Sequence, residues 1–417
     1  AEASRSVATV TALPVPGRLY LNLDKKSTGF DFQLTGEYPR RVEAGDVLAT
    51  DPSGFPLSAP LPGVVYAPEG IRRLVLRTEG FIAGTSGQGL LSVPDDVDAS
   101  TFLDGIFQSG LCSFDFPGTP LSSLLQRAFQ HERPLIILSR AAVSTAIDWN
   151  RILKTRRPEI ERFKAWLQPA CVALTGKAVE VIEFPTSNAN MSNRLYAADI
   201  GHRLPPVVAR RFRPDLQTAH NLAAQGIAYL GPATLNAILD FAFHGKAPTA
   251  RHVALTAHPT VARKIGLQSP RLYRLYNGQP IADIVDRSLP ANRALLVAGA
   301  FPDVPDPLEL AVAGTDDAAD RPQAEAIPAN YNLFGPDVLQ WVPPSALNRA
   351  RIELPCTACG ACNAICPVNA RPFALASAQP TRFRSDLCMQ CGLCTHSCPA
   401  NIALDEMIRV NQNPIKA

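Results

Sequence analysis

Eight of the ten cysteines in this 417-residue chain lie beyond residue 355, in two runs of identical spacing. The first is Cys356-x-x-Cys359-x-x-Cys362-x-x-x-Cys366-Pro367, the second Cys388-x-x-Cys391-x-x-Cys394-x-x-x-Cys398-Pro399. So many thiols in so short a stretch are either paired as disulfides or bound to metal. Disulfide frameworks belong to small secreted domains. This chain is long enough to bury a core without such staples, and no apolar signal core follows Ala1-Glu2-Ala3-Ser4-Arg5. Metal is therefore the expected partner. The proline after each fourth cysteine fixes φ and ends the preceding turn. Gly360 and Gly392, which follow the second cysteine of each run, are expected to keep side-chain bulk off a bound core and leave amides facing its sulfurs.

The runs resemble those of two-cluster ferredoxins, in which three thiolates hold one cubane and the fourth reaches the other. The resemblance implies two [4Fe–4S] clusters. Cys356, Cys359, Cys362 and Cys398 would hold one; Cys388, Cys391, Cys394 and Cys366 would hold the other. Structural zinc is the alternative, but it uses paired C-x2-C knuckles of four ligands each, not two interleaved runs of four. Crossed ligation would place the clusters close together, as an electron relay requires. Arg382 and Arg384, between the runs, and Met407-Ile408, beyond them, are candidate docking surfaces for a partner. Taken singly, each reads as an ordinary solvated side chain. Cys112 and Cys171 stand alone and are expected to be buried, inert thiols.

Composition narrows the rest. A hydrophobic fraction of 46% with 18% charged residues is globular. Lys+Arg 40 against Asp+Glu 37 leaves +3, which argues against a dedicated nucleic-acid binder. The longest apolar stretches, such as Ala294–Phe301 and Leu135–Leu138, fall far short of the roughly 20 residues of a membrane span. A cytoplasmic location is expected, peripheral at the cytoplasmic membrane face only through a partner protein. The 38 prolines favour many short strands and loops.

Five segments are expected. Residues 1–98 read as a small β domain of the barrel-sandwich type, with segments 42–48 and 58–65 as its halves and Gly45-Asp46 as a tight turn between β-branched and apolar residues within the first. Its Thr50–Phe55 stretch has no lysine to carry a lipoyl or biotinyl group. Residues 99–250 read as an α/β unit. Leu135–Leu138 and Val179–Phe184 are its strands, a helix runs from Pro158 with Ile160, Phe163 and Leu167 inward, and a second helix spans 232–244 and stops before Gly245. Residues 251–300 read as a β-grasp-like domain with strands at Val253–Thr256 and Leu272–Leu275 and a short helix at Ile281–Val285. Residues 301–344, rich in Pro, Asp and Ala, read as linker. Residues 345–417 are the helical two-cluster module.

This order resembles the RnfC family of the Rnf electron-transport complex, the related cobalamin reductase of propanediol utilisation and, more distantly, the NqrA component of the sodium-pumping NADH:quinone oxidoreductase. It implies an α/β domain akin to the flavin-binding component of complex I, with FMN and NADH as cofactors. Members that oxidise NADH carry a loop of the form G-x-G-G-A-G-F-P, whose bare backbone admits phosphates to a helix N-terminus. The corresponding segment here is Gly105–Pro117, where Leu111, Ser113, Phe114 and Asp115 add bulk and negative charge around Gly110. The family's A-x-E-C-E-P segment aligns with Ser139–Ser144, without its carboxylates or cysteine. Gly84–Gly89 is glycine-rich but lacks a strand-to-helix context. The nucleotide site reads as dismantled and the clusters as intact.

The expectation is a non-catalytic iron–sulfur electron-transfer subunit working between partner redox proteins, in a membrane-associated complex. The alternative is an NAD(P)H- or flavin-linked oxidoreductase, or a corrinoid reductase, with an atypical nucleotide loop. Bound flavin separates the two.

Overall fold

The computed structural model describes residues 9–79, 98–116, 118–140, 146–184, 204–216, 221–257, 261–263, 266–267, 269–284, 295–298, 309–310, 331–333, 337–342, 353–377, 387–389 and 391–412. After β1 (Val10–Thr11), the N-terminal part runs through β2 (Arg18–Asn22), the one-turn helix α1 (Lys25–Thr28), β3 (Gln33–Leu34), β4 (Arg40–Val42), β5 (Val47–Thr50), β6 (Pro56–Ser58), β7 (Gly63–Tyr66) and β8 (Arg73–Thr78). These strands form two small antiparallel sheets, β2-β8-β7-β4 and β3-β5-β6. Alternation turns Leu19, Leu21, Val65, Leu74 and Leu76 inward, onto Phe30, Phe32 and Phe55. The Gly45-Asp46 turn joins β4 to β5, and the Asp46 carboxylate accepts the Glu43 amide at 2.8 Å.

The next part consists of α2 (Ala99–Gln108), α3 (Leu121–Gln130), β9 (Leu135–Ser139), α4 (Trp149–Lys154), α5 (Arg157–Thr175), β10 (Glu180–Phe184), α6 (Pro205–Phe212), β11 (Ile227–Leu230) and α7 (Pro232–His244). The three strands are parallel, in the order β10-β9-β11. β9 is apolar from Leu135 to Leu138 because both its faces are covered. Ile136 and Leu138 face one core with Ala228 and Leu230. Leu135 and Ile137 face another with Ile227, Tyr229, Val208 and Ala209. α5 starts at Arg157 with Pro158 in its first turn and buries Ile160, Phe163 and Leu167. α7 starts at Pro232 and stops at Gly245, which is left-handed at φ 62°.

The six-stranded sheet crosses the expected boundaries. It comprises β12 (Ala250–Ala257), β13 (Arg271–Tyr276), β14 (Leu295–Ala298), β15 (Glu309–Leu310) and β16 (Val338–Val342), with β1 at its edge, in the order β1-β13-β12-β16-β14-β15. Residues 301–344 are thus not merely a linker, and a unit bounded at 251 and 300 would split the sheet. β16 pairs in parallel with β12 and antiparallel with β14, and buries Val338, Leu339 and Trp341. Its partners lie far off in sequence, so no local turn announced it. Within 302–330, Glu309–Leu310 is strand and the rest lies outside the described residues. Ile281–Val285 is shorter than expected, a 3-10 turn over Ile281–Asp283.

Among the described residues, the C-terminal part holds four short helices: α8 (Ala361–Ile365), α9 (Pro372–Ala376), α10 (Leu393–His396) and α11 (Leu404–Gln412). α6 joins this module to the α/β part. Its Val207 enters the core of Val368, Leu375, Leu404 and Ile408, while its Val208 and Ala209 face the sheet. Among the described residues no helix is long and apolar enough to cross a membrane.

Candidate metal centre

The two cysteine runs fold as copies of one motif, offset by 32 positions. Gly360 and Gly392 lie in the left-handed region at φ 73° and 72° and begin α8 and α10. A Cβ built on Gly360 meets no protein atom within 4 Å, so the φ angle, not crowding by the protein, calls for glycine there. Asn369 and Asn401, three residues after each fourth cysteine, are both left-handed at φ 52° and 56°. Asparagine tolerates that region better than most residues. Their amides close turns onto the carbonyls of Cys366 (3.2 Å) and Cys398 (3.1 Å).

These turns directly follow each fourth cysteine. Cys366 lines one pocket with Cys388, Cys391 and Cys394, enclosing ≈ 390 Å³ of partly open space. Pro367, Val368, Pro372, Met389, Gly392, Leu393, Asp405 and Ile408 complete its wall. On the other side, the Leu354 amide bonds to the Ala400 carbonyl at 2.9 Å, tying the start of the first run to the end of the second. Among the described residues, no three His, Cys, Asp or Glu side chains gather as ligands of a single metal ion. Four cysteines line the pocket, a donor set suited to a multi-iron core that takes one thiolate at each corner.

Burial governs the thiols. It pushes Cys391 up to about 11, with the neighbouring Cys366 and Cys388 adding to the rise. It pushes Cys394 up to about 12, helped by Cys391 and Asp405. Cys362 is raised by burial first, then by Cys398 and Cys359. Thiolates this crowded call for cationic metal to offset them. Backbone amides supply part of that compensation: Ala370 donates to Cys366 Sγ at 3.2 Å and Ala358 to Cys356 Sγ at 3.4 Å.

Other expectations fare differently. Cys112 and Cys171 are buried, and burial raises the Cys112 thiol to about 12 and the Cys171 thiol as well. Of the expected docking pair Met407-Ile408, only Met407 is exposed. Ile408 is 1% exposed and belongs to the module's core, because Leu404 and Ile408 share the inward face of α11. Arg382 and Arg384 lie outside the described residues, as do Gly84–Gly89 and Ala141–Ser144.

Residues 105–116 of the expected loop are described, and Pro117 lies outside the described residues. Gly105–Gln108 is the end of α2, and Gly110 turns at φ 72° with a built Cβ 2.9 Å from the Pro56 carbonyl. Leu111 enters the core of the α/β part and Cys112 that of the N-terminal sheets. The Arg251 guanidinium lies 4.1 Å from the Phe114 ring centre. Asp115 reaches the start of α7, beyond the carboxyl end of β11, where an open parallel sheet would receive a ligand. Its Oδ2 accepts the Gly231 amide at 2.8 Å and the Thr234 hydroxyl at 2.7 Å. The chain's own carboxylate takes the anion position at this helix N-terminus. A phosphate there would meet like charge in a filled space, so these residues do not fit the nucleotide or flavin that the family resemblance implies.

Burial is also the main reason the Asp115 carboxyl is pushed up to about 6, against the lowering by its two hydrogen bonds. An acid raised in the folded state favours folding most below its unfolded pKa. That contribution fades as pH rises through the folded value. Stability is expected to fall by about 2–3 kcal/mol between pH 4 and pH 7 on this account alone. Asp115→Asn should flatten that slope in denaturant titrations at the two pH values.

Comparison with known proteins agrees at the cysteines. Residues 355–402 match the 4Fe-4S dicluster domain family, so the C-terminal module is a ferredoxin-type iron–sulfur domain. No curated protein matches the chain. Among solved structures, NAD+-reducing [NiFe]-hydrogenase in the H2-reduced state aligns with TM-score 0.38 and 16% identity, over 76% of this chain and 62% of that one. The same enzyme in the air-oxidized state gives 0.36 and 13%, over 75% and 60%. The chain thus spans about three-fifths of the chains it resembles. At these scores the likeness places no residue.

Proposed function

We propose that the chain is an electron-transfer subunit relaying single electrons through two [4Fe–4S] clusters between partner redox proteins. Cys356, Cys359, Cys362 and Cys398 hold one cluster; Cys388, Cys391, Cys394 and Cys366 hold the other. The observation that carries this reading is the pocket in which Cys366, from the first run, stands with three cysteines of the second. The clusters supply one-electron chemistry. The chain's part is to fix two sets of thiolates on one small core, with amides donating to sulfur, and to leave the Glu353–Gly360 segment exposed for exchange. With Asp115 at the start of α7, electrons enter from a partner and not from bound NADH. The order of parts supports an RnfC-like role, in which attachment to a membrane comes through another protein of the complex.

Anaerobically purified protein is expected to contain about eight iron and about eight acid-labile sulfide per chain. It should carry no flavin and show no micromolar affinity for NADH in a titration. Zinc, or about four iron, refutes the two-cluster reading. Bound FMN, or tight NADH binding, would favour the flavin-linked oxidoreductase in its place.

A further inference from the structure

We propose that Asp405 sets the two clusters apart in potential, making the one held by Cys366, Cys388, Cys391 and Cys394 the more reducing. The inference rests on the two-cluster reading above. Asp405 lines the same pocket as those four cysteines and is 7% exposed. It is held there from the first turn of α11. Its carboxylate accepts the Thr395 hydroxyl, and its amide donates to Thr395 Oγ1 at 2.9 Å. Thr395 directly follows the ligand Cys394, so the carboxylate is fixed against the stretch of chain that carries the cluster.

The motif repeat supplies an internal comparison. The position 32 residues before Asp405 is Phe373, and that before Thr395 is Asn363. Phe373 is uncharged and 44% exposed. The repeat-equivalent position of the first run therefore carries no carboxylate, and the loop of that run, Glu353–Gly360, is exposed throughout. Adding an electron beside a fixed negative charge in a poorly solvated pocket costs Coulomb energy. Adding one beside water costs less, because the solvent screens the charge. Net charge and exposure both tune such clusters, and here both act in one direction. Electrons then pass downhill from the buried cluster to the exposed one, and Glu353–Gly360 is the delivery side.

An anaerobic redox titration of the full chain, followed by EPR, tests this on wild type, Asp405→Asn and Asp405→Glu. Asp405→Asn should shift one signal's reduction equilibrium at least about tenfold toward the reduced form, about 59 mV for a one-electron couple, with the other signal moving less. Asp405→Glu should stay with wild type. The signal that moves should be the one absent from Cys366→Ser. Unmoved signals, equal movement of both, or movement of the signal that Cys366→Ser retains would each overturn the proposal. Iron analysis separates the two failures: about eight iron with unmoved potentials refutes the role of Asp405 alone, whereas zinc or about four iron refutes the clusters themselves. Should Asp405→Asn not hold its iron, Thr395→Val keeps the shape and removes the donor that offsets the carboxylate. The same signal should then move down; no movement, or an upward one, overturns the proposal.

Discussion

Cys366→Ser should cost the chain about half its iron, and the cluster it destroys should be the one that begins 22 residues further along, at Cys388. The reason is the geometry of the two turns. Pro367 and the left-handed Asn369 turn the chain directly after Cys366, which lines one pocket with Cys388, Cys391 and Cys394. Removing it leaves three crowded thiolates, Cys394 buried and the others half-buried, without a fourth ligand. Cys398→Ser should do the reverse, emptying the set at Cys356, Cys359 and Cys362. In EPR of the reduced protein, spin coupling between the two signals should vanish in both variants, while the surviving cluster keeps its own spectrum. If Cys366→Ser abolishes the signal of the first run and spares that of the second, ligation follows the sequence and the crossed pairing is wrong.

The cysteine motif was legible because its information is local. Three spacings, a glycine and a proline recur in each run over a few turns, and none depends on a distant partner. β9 and α5 were legible for the same reason, the first as a continuous apolar run and the second through Ile160, Phe163 and Leu167 at helical spacing. β16 was not, because what makes Val338–Val342 a strand is its pairing with β12 and β14, each reached across a long stretch of chain. The inward face of Ile408 could have been read from Leu404 four positions earlier. Asp405 gave no comparable sign. An acid in the first turn of a helix is ordinary, since the helix dipole favours it on an exposed surface. Only the packing of α11 against α9 and α10 shows that this one is buried beside the cysteines. Asp115 was singled out as charge where phosphate should lie, but its partner, Gly231, is 116 residues away.

That pairing makes the second large prediction. Gly231→Ala should destabilise the α/β part by on the order of 3 kcal/mol or more, although the backbone at Gly231, φ −68° and ψ 169°, suits any residue. Conformation is not the constraint there; space is. A Cβ at Gly231 would stand 2.0 Å from Asp115 Oδ1 and 2.7 Å from its Cγ. The carboxylate would have to leave the start of α7, losing the Gly231 amide and the Thr234 hydroxyl while still enclosed by protein. Asp115→Ala alone should cost less, about 1–3 kcal/mol, because it strands two donors and buries no unpaired charge. The double variant removes the collision, so its cost should fall below the sum of the single costs by about 1–3 kcal/mol. Denaturant titrations of the four proteins, with iron content checked in each, measure this coupling directly. Additive costs would mean that the carboxylate does not sit on the helix end, and the physical case against a nucleotide phosphate in that place would go with it. A strong coupling would mean that the chain has filled the anion position at this helix N-terminus with its own carboxylate.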